Sequence, residues 1–301
     1  DLSKTNWFRV GGPAEWLFKP ENTQDLADFM KVLPPEIPVT VLGVGSNVIV
    51  RDGGIEGVVV KLGRAFVSAS LVMGHESLVE KSENKPKTKD QRPVAIATGA
   101  AMLDLNVALF ACDHGFAGLE FLSGIPGTIG GAVRMNAGAY GREIKDVLIE
   151  CEVVLRSGEV KILTNEECGF SYRKSALPEG AIVTQALLAA TPGERIEIAG
   201  RIQEISRMRE DTQPIRSRTG GSTFKNPEGH KAWELIDKAG CRGMTLGGAQ
   251  VSEKHCNFLI NTGNATASDL ENLGNKVIEL VREKTGITLE WEIKFFPKEK
   301  I

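Results

Sequence analysis

The stretch Ser123-Gly124-Ile125-Pro126-Gly127-Thr128-Ile129-Gly130-Gly131-Ala132 governs how the rest of the chain is read. Pro126 removes one backbone donor and fixes φ, while its small neighbours leave backbone amides uncovered. Gly130-Gly131 ahead of Ala132-Val133 would let a helix start lie close to a ligand, with the positive end of its dipole leading. Upstream, Gly43-Val44-Gly45-Ser46-Asn47 follows the β-rich run Val39–Leu42, as an anion-binding turn does. Position 48 is Val, so the G-x-G-x-x-G dinucleotide fingerprint is broken, and with no Gly-Lys pair anywhere a P-loop is excluded. Two readings stay open: both loops are tight turns, or both are backbone nests that hold a diphosphate between two subdomains.

Outward from these loops the pattern alternates between helix and strand. Thr23 is placed to cap a helix carrying Leu26, Phe29, Met30 and Leu33 on one face, stopped by Pro34-Pro35. Gly57–Leu62 and Val94–Thr98 read as strands, and Leu103–His114 as a helix closed by Gly115. Val147–Leu155 and Val160–Leu163 form a hairpin, and Thr164-x-x-Glu167 matches a capping box that opens a short helix. After Thr191-Pro192-Gly193 the character changes. Ile198, Ile202, Ile205 and Met208 mark one helix face, and His230–Ala239 is a second helix. Asn257–Ile260 is a strand, and Thr266-x-x-Asp269 caps a long helix ended by Gly286. Ile287, Leu289, Trp291, Ile293 and Phe295 alternate with Glu290, Glu292 and Lys294, which predicts a closing strand. The fold class expected is α+β, with a boundary near residue 192.

Composition narrows the function. Lys plus Arg is 36 and Asp plus Glu 39, a net charge of −3 that offers no global field for nucleic acid or an anionic membrane. No run of apolar residues reaches the length of a membrane span. The chain opens Asp1-Leu2-Ser3-Lys4, with neither an initiator Met nor an apolar leader, which points to a trimmed N-terminus. Cys112, Cys151, Cys168, Cys241 and Cys256 are odd in number and show no C-x-x-C, and His75, His114, His230 and His255 are scattered. A metal site or disulfide scaffold is therefore not expected, and a reducing cytoplasm is. Residues 81–92 read as a solvated loop. Glycine is in excess, 33 of 301 residues or about 11% against a usual ~7%. Eight of these lie between 115 and 141, where backbone either turns tightly or meets a ligand.

Further motifs carry a resemblance. Asn6-Trp7-Phe8-Arg9-Val10-Gly11-Gly12-Pro13-Ala14, Gly43–Asn47 and Ser123–Ala132 are followed by Tyr172-Arg173-Lys174-Ser175 and Gly221-Ser222-Thr223-Phe224-Lys225-Asn226-Pro227. Gly247-Gly248-Ala249 and Glu290-Trp291-Glu292-Ile293-Lys294 complete the series. In that order, over nearly all 301 residues, the chain resembles the UDP-N-acetylenolpyruvoylglucosamine reductases, flavoproteins of bacterial peptidoglycan synthesis. Two differences stand out. Residues 71–93 look like an insertion, and the short spacing from Arg173 to Ser222 resembles the branch without a tyrosine-bearing substrate loop.

The resemblance implies an FAD fold of the vanillyl-alcohol-oxidase and para-cresol-methylhydroxylase type over residues 1–192, in subdomains of about 1–65 and 66–192. Residues 193–301 would form the substrate-binding domain, with the last strand returning Glu292 to the active site. It implies FAD held by Gly43, Val44, Gly45, Ser46, Asn47, Ser123, Gly124, Ile125, Pro126, Gly127, Thr128, Gly130 and Gly131. NADPH is implied as reductant, with the enolpyruvyl ether of UDP-N-acetylglucosamine as hydride acceptor. Arg173 would stabilise the enolate, Ser222 would donate the proton, and Glu292 would be the second group acting on the intermediate. A carboxylate near the substrate's own carboxylate would have its pKa raised. Tyr172, Lys225, Asn226 and His255 are the expected substrate contacts. Arg207, Arg209, Arg216 and Arg218 add to a basic stretch without an assigned role. The expected partners are small molecules only, the expected state a monomer.

Taken singly, these residues have blander readings: Arg173 a solvated charge, Ser222 a turn residue, Glu292 one of a solvated strand face. Two other functions share the fold or the loops. One is an FAD-dependent oxidase of a sugar or hydroxy acid, the other a non-catalytic nucleotide-sugar-binding protein. The presence of Arg173, Ser222 and Glu292 together argues against the second.

Overall fold

The computed structural model describes residues 1–72 and 94–297; most of the 71–93 insertion and the 81–92 loop lie outside the described residues. In chain order the strands are β1 (Ala14–Phe18), β2 (Val39–Val41), β3 (Val48–Val50), β4 (Ile55–Val60), β5 (Ala69–Val72) and β6 (Val94–Gly99). Then come β7 (Phe116–Ala117), β8 (Gly138–Ala139), β9 (Arg142–Glu143), β10 (Leu148–Val154), β11 (Val160–Thr164) and β12 (Ile182–Pro192). The last are β13 (Arg218–Thr219), β14 (Thr245–Leu246), β15 (Ala249–Val251), β16 (Leu259–Asn261) and β17 (Lys294–Phe296). The helices are α1 (Thr23–Val32), α2 (Asp104–Asp113), α3 (Ile129–Met135), α4 (Arg195–Thr212), α5 (Ala232–Lys238) and α6 (Ala267–Thr285). The mixture is α+β, as the alternating pattern predicts.

The chain divides into two compact units, and both are discontinuous. The first unit holds residues 1–17, 44–59 and 208–301; the second holds 18–43 and 60–207. This differs from a single cut near 192. The physical reason is strand pairing: β17, at the C-terminal end, lies parallel to β3, with Lys294 opposite Val48 and Phe296 opposite Val50. A strand of the first fifty residues is thus completed by the last strand of the chain.

In the second unit a sheet runs in the order β11-β10-β12-β6-β5. Its neighbours are antiparallel throughout. The hairpin of β10 and β11 forms as expected. Strand β12 is the spine, and Ile182, Val183, Ala186 and Leu188 are buried. Val107, Ala108 and Ala111 of α2, with Ile129, Ala132 and Val133 of α3, belong to the same core. In the first unit the order is β13-β16-β15-β14. Helix α6 supplies Leu270, Leu273, Val277 and Val281 to its core, beside Phe8, Phe224 and Ile293. Its capping box at Thr266 and Asp269 is complete, and Gly286 ends it with φ +76°.

Four local expectations change. Asn22, not Thr23, caps α1, its side chain accepting from the Asp25 amide at 2.9 Å. Thr164 and Glu167 do make the reciprocal capping bonds, at 2.8 and 3.3 Å. No helix follows, because the chain turns back and Ala176 donates to the Cys168 carbonyl at 2.8 Å. The closing strand is shorter than its alternation suggests: Leu289 and Ile293 are buried, yet the ladder covers only Lys294–Phe296. Met208 is half-exposed while Ile198, Ile202 and Ile205 are buried.

Candidate active site

The loop at Ser123–Gly131 is fixed from behind. Residues Glu120–Gly124 form a tight 3-10 turn, and Ser123 Oγ donates to the Glu120 carbonyl at 2.7 Å. The amides of Ile129 and Gly130 donate to the carbonyls of Met102 and Ala100, at 3.0 and 2.9 Å. Those two donors are therefore spent on the scaffold, although Gly130 was expected to face a ligand. Gly43 lies in the same unit, and a Cβ there would stand 2.9 Å from Thr128 Oγ1. The two glycine loops meet at that point, and glycine keeps the gap between them open.

Asp104 lies directly behind the loop. Its amide donates to the Gly127 carbonyl at 3.2 Å, and the side chain is fully buried. Neither carboxyl oxygen has a hydrogen-bond partner. Burial pushes its pKa well above the ordinary carboxylate value, favouring the neutral form.

Arg173 sits in a tight turn of the same unit. Its φ is +56°, a left-handed conformation for a side-chain-bearing residue. Ser171 and Lys174 bridge beneath it. The buried Asn136 donates from Nδ2 to the Ser171 carbonyl at 3.0 Å, and Ser175 Oγ donates to the Arg134 carbonyl at 2.8 Å. The turn is thus pinned on both sides. Its guanidinium lies over the Tyr172 ring, 5.3 Å from the centroid. Opposite, a Cβ on Gly138 would come within 3.2 Å of Arg173 Nη1, so that glycine makes room for the charged head.

The first unit assembles a different set. Residues 223–225 pass between two neighbours, with Phe224 and Trp291 forming an isolated antiparallel bridge. On one side Glu292 donates its amide to the Thr223 carbonyl and Lys225 donates to the Glu290 carbonyl, at 2.8 and 2.9 Å. On the other side the Thr223 amide donates to the Asn257 carbonyl at 2.8 Å. Ser222 leads directly into this segment. Asn47 Nδ2 donates to the Glu292 carbonyl at 3.2 Å, and the Asn47 carbonyl accepts from Lys294. The Gly221 amide donates to the Ser46 carbonyl at 3.0 Å. Residues 46 and 47 are therefore tied to Gly221, next to Ser222, and to Glu292.

The expected substrate contacts divide. Lys225 Nζ pairs with Glu290 at 3.0 Å. Asn226 Oδ1 accepts the Ala232 amide at 2.9 Å and so helps start α5. His255 accepts the Asn257 amide at Nδ1, 3.3 Å away, which leaves Nε2 to carry the proton. Burial lowers its pKa and keeps the ring neutral. Val44, Gly45, Ser46, Asn47, Ser222, Lys225, Asn226, His255 and Glu292 thus share the first unit; Gly43, Ser123–Gly131, Tyr172 and Arg173 share the second. Sequence reasoning missed Asn136, Asn257 and Asp104. An asparagine that clamps backbone leaves no signature in one sequence.

Comparison with known proteins fits these observations. A family model described as FAD binding domain matches residues 14–164. This defines the class: an FAD-dependent α+β oxidoreductase. The model for the UDP-N-acetylenolpyruvoylglucosamine reductase C-terminal domain matches residues 213–296. A curated UDP-N-acetylenolpyruvoylglucosamine reductase of Paramagnetospirillum magneticum is 55% identical over 293 residues, 97% of this chain and 89% of its own. That of Sphingopyxis alaskensis is 53% identical, over 97% and 92%. The crystal structure of the Thermus caldophilus enzyme superposes with a TM-score of 0.79 at 34% identity, covering 98% of this chain and 97% of its own. The chain belongs to the UDP-N-acetylenolpyruvoylglucosamine reductase family. No helix of the described residues is long and apolar enough to cross a membrane.

Proposed function

We propose that this chain, an FAD-dependent reductase by family, reduces the enolpyruvyl ether of UDP-N-acetylglucosamine with NADPH, in the cytoplasm, as a step of peptidoglycan precursor synthesis. The observation that carries the residue assignment is the direct link between the Ser222 and Glu292 segments through the Thr223 carbonyl. FAD, when bound, supplies the hydride that adds to the terminal vinyl carbon. The Gly43–Thr128 gap and the amides of Gly127 and Thr128 are the groups assigned to its diphosphate. Ser123, Gly124, Ile125 and Pro126 shape the wall behind them.

Hydride addition leaves negative charge on the neighbouring carbon and on the carboxylate conjugated with it. Arg173 holds that charge: a guanidinium stays protonated and pairs with a carboxylate through two parallel hydrogen bonds. Ser222 Oγ–H gives its proton to the carbon, and the alkoxide that results recovers a proton from solvent. Glu292 hydrogen-bonds the enolic oxygen and fixes its direction. Lys225, Asn226, His255 and Tyr172 are assigned to the nucleotide sugar. Small molecules are its partners, and it acts as a monomer.

The test is anaerobic and separates the half-reactions. Ser222→Ala should still be bleached by NADPH at the parent's rate but should regain flavin absorbance only very slowly when the enolpyruvyl ether is added. Normal recovery in that variant removes Ser222 from the chemistry. Rapid recovery with oxygen and none with the ether would replace the reductase reading by an oxidase.

A further inference from the structure

Asn257 is four per cent exposed, lies outside every residue assigned above, and devotes its whole side chain to one neighbour. Its Nδ2 donates to the Phe224 carbonyl at 2.8 Å, and its Oδ1 accepts the Phe224 amide at 2.9 Å. Its own carbonyl takes the Thr223 amide at 2.8 Å, and its amide is held by His255 Nδ1 at 3.3 Å. The side-chain amide thus does what a neighbouring strand would do, completing a ladder along residues 223–224. Thr223 and Phe224 are buried, so no water can stand in for a lost bond.

From this geometry we infer that Asn257 is the positioning residue for Ser222, holding the proton donor in line with Glu292 through the Thr223–Phe224 backbone. The inference rests on the role proposed for Ser222. Glu292 is hung from the other edge of the same segment, its amide on the Thr223 carbonyl and its carbonyl on Asn47 Nδ2. Asn257 and the 290–292 segment therefore grip residues 223–224 from opposite sides. Removing the Asn257 side chain frees the Phe224 amide and carbonyl while the backbone bonds at Thr223 remain, and the Ser222 hydroxyl shifts relative to Glu292 and the substrate carbon. A misplacement of about 1 Å typically costs about a hundredfold in rate.

The experiment is a double-mutant cycle on the FAD-loaded enzyme. Asn257→Ala should leave FAD binding and flavin reduction by NADPH within about twofold of the parent, while reoxidation by the enolpyruvyl ether slows by about 30- to 100-fold. In the Ser222→Ala background the same change should slow the residual reoxidation by less than about threefold, because both changes remove one function. Equal slowing in both backgrounds, or equal slowing of both half-reactions, overturns the positioning role. Should Asn257→Ala fail to fold, Asn257→Asp keeps the shape and the Oδ1 acceptor, loses the Nδ2 donor, and is read in the same cycle. Wild-type reoxidation in Ser222→Ala alone instead removes the Ser222 assignment, and this inference falls with it.

Discussion

Two parts of the molecule hold their functional side chains in opposite ways. In the second unit, Arg173 is aimed by its own backbone, a left-handed residue at φ +56° in a turn that its flanks must hold. In the first unit, Ser222 and Glu292 have no left-handed φ, and backbone hydrogen bonds of the residues around them hold the two segments together. A strained turn costs on the order of 1–3 kcal/mol and persists only where anchors over-determine it. A segment without a left-handed residue carries no such strain, but it can slide unless something fills its open hydrogen-bonding edge. The turn needs anchors at its ends; the segment needs clamps along its length.

The sharpest way to break this comparison is at Arg173 itself. Arg173→Ala removes the charge that meets the developing carboxylate, and reoxidation by the enolpyruvyl ether should fall by about 10²- to 10³-fold, roughly 2.7–4 kcal/mol. Reduction by NADPH, followed by stopped-flow absorbance, should change little. Equal loss in both half-reactions would place Arg173 in the scaffold.

A smaller effect separates backbone from side chain at Asn136. This residue is also left-handed, at φ +43°, and its side chain reaches Ser171, Glu143 and the Lys145 amide. Asn136→Gly keeps the conformation and loses the bonds; Asn136→Ala loses both. Both should lower stability by about 2–3 kcal/mol, with alanine the worse by about 1 kcal/mol, read from denaturant midpoints. Alanine as stable as glycine would show that the left-handed backbone here carries no cost.

How far the sequence alone reaches follows the same division. Elements with a period or a cap are legible: α6 from its capping box and Gly286, the β10–β11 hairpin from its paired runs. The glycine loops are legible as loops, though Gly130 turns its amide to the Ala100 carbonyl rather than outward. The Thr164–Glu167 box shows where local rules stop, because its bonds form and tertiary contacts still forbid the helix. Parallel pairing of β3 with β17 joins residues nearly 250 positions apart, and no local pattern encodes it. Ser222 is ordinary in composition and extraordinary only in its neighbours, so its assignment needed the resemblance. Asn257 and Asn136 are marked only by the backbone groups they bond across the fold.

Asp104 gives the second unit a pH dependence opposite in direction to that of His255 in the first, whose pKa burial lowers. Its folded-state pKa is raised, so the folded protein binds the proton more tightly than the unfolded chain does. Stability from this group is therefore full below the ordinary value of 3.8 and declines as pH climbs towards the raised value, where the whole cost has been incurred. Asp104→Asn removes the slope. Melting curves at pH 5 and pH 8 should show the parent losing on the order of 1 kcal/mol more than the variant. Parallel losses in the two proteins would mean that the carboxyl is hydrated or paired in solution.

The smallest expected effect tests the edge of the first unit's lattice. Glu290 and Glu292 are two residues apart and both contact the 223–225 segment through the backbone, yet their side chains differ. The Glu290 side chain is 74% exposed and pairs with Lys225 Nζ at 3.0 Å. An exposed pair of this kind contributes about 0–1 kcal/mol, and less as salt rises. Glu290→Gln keeps the length and the backbone bond to Lys225, so both half-reactions should stay within about twofold of the parent. Freed of its partner, Lys225 gains positive character towards an anionic substrate, and KM for the nucleotide sugar should hold or fall slightly at low salt. The same Glu→Gln change at Glu292 should slow reoxidation by at least about tenfold, since it replaces a group placed at the reacting atoms. Matching responses at the two positions would mean that the segment's backbone, and not the Glu292 carboxyl, is what the chemistry uses.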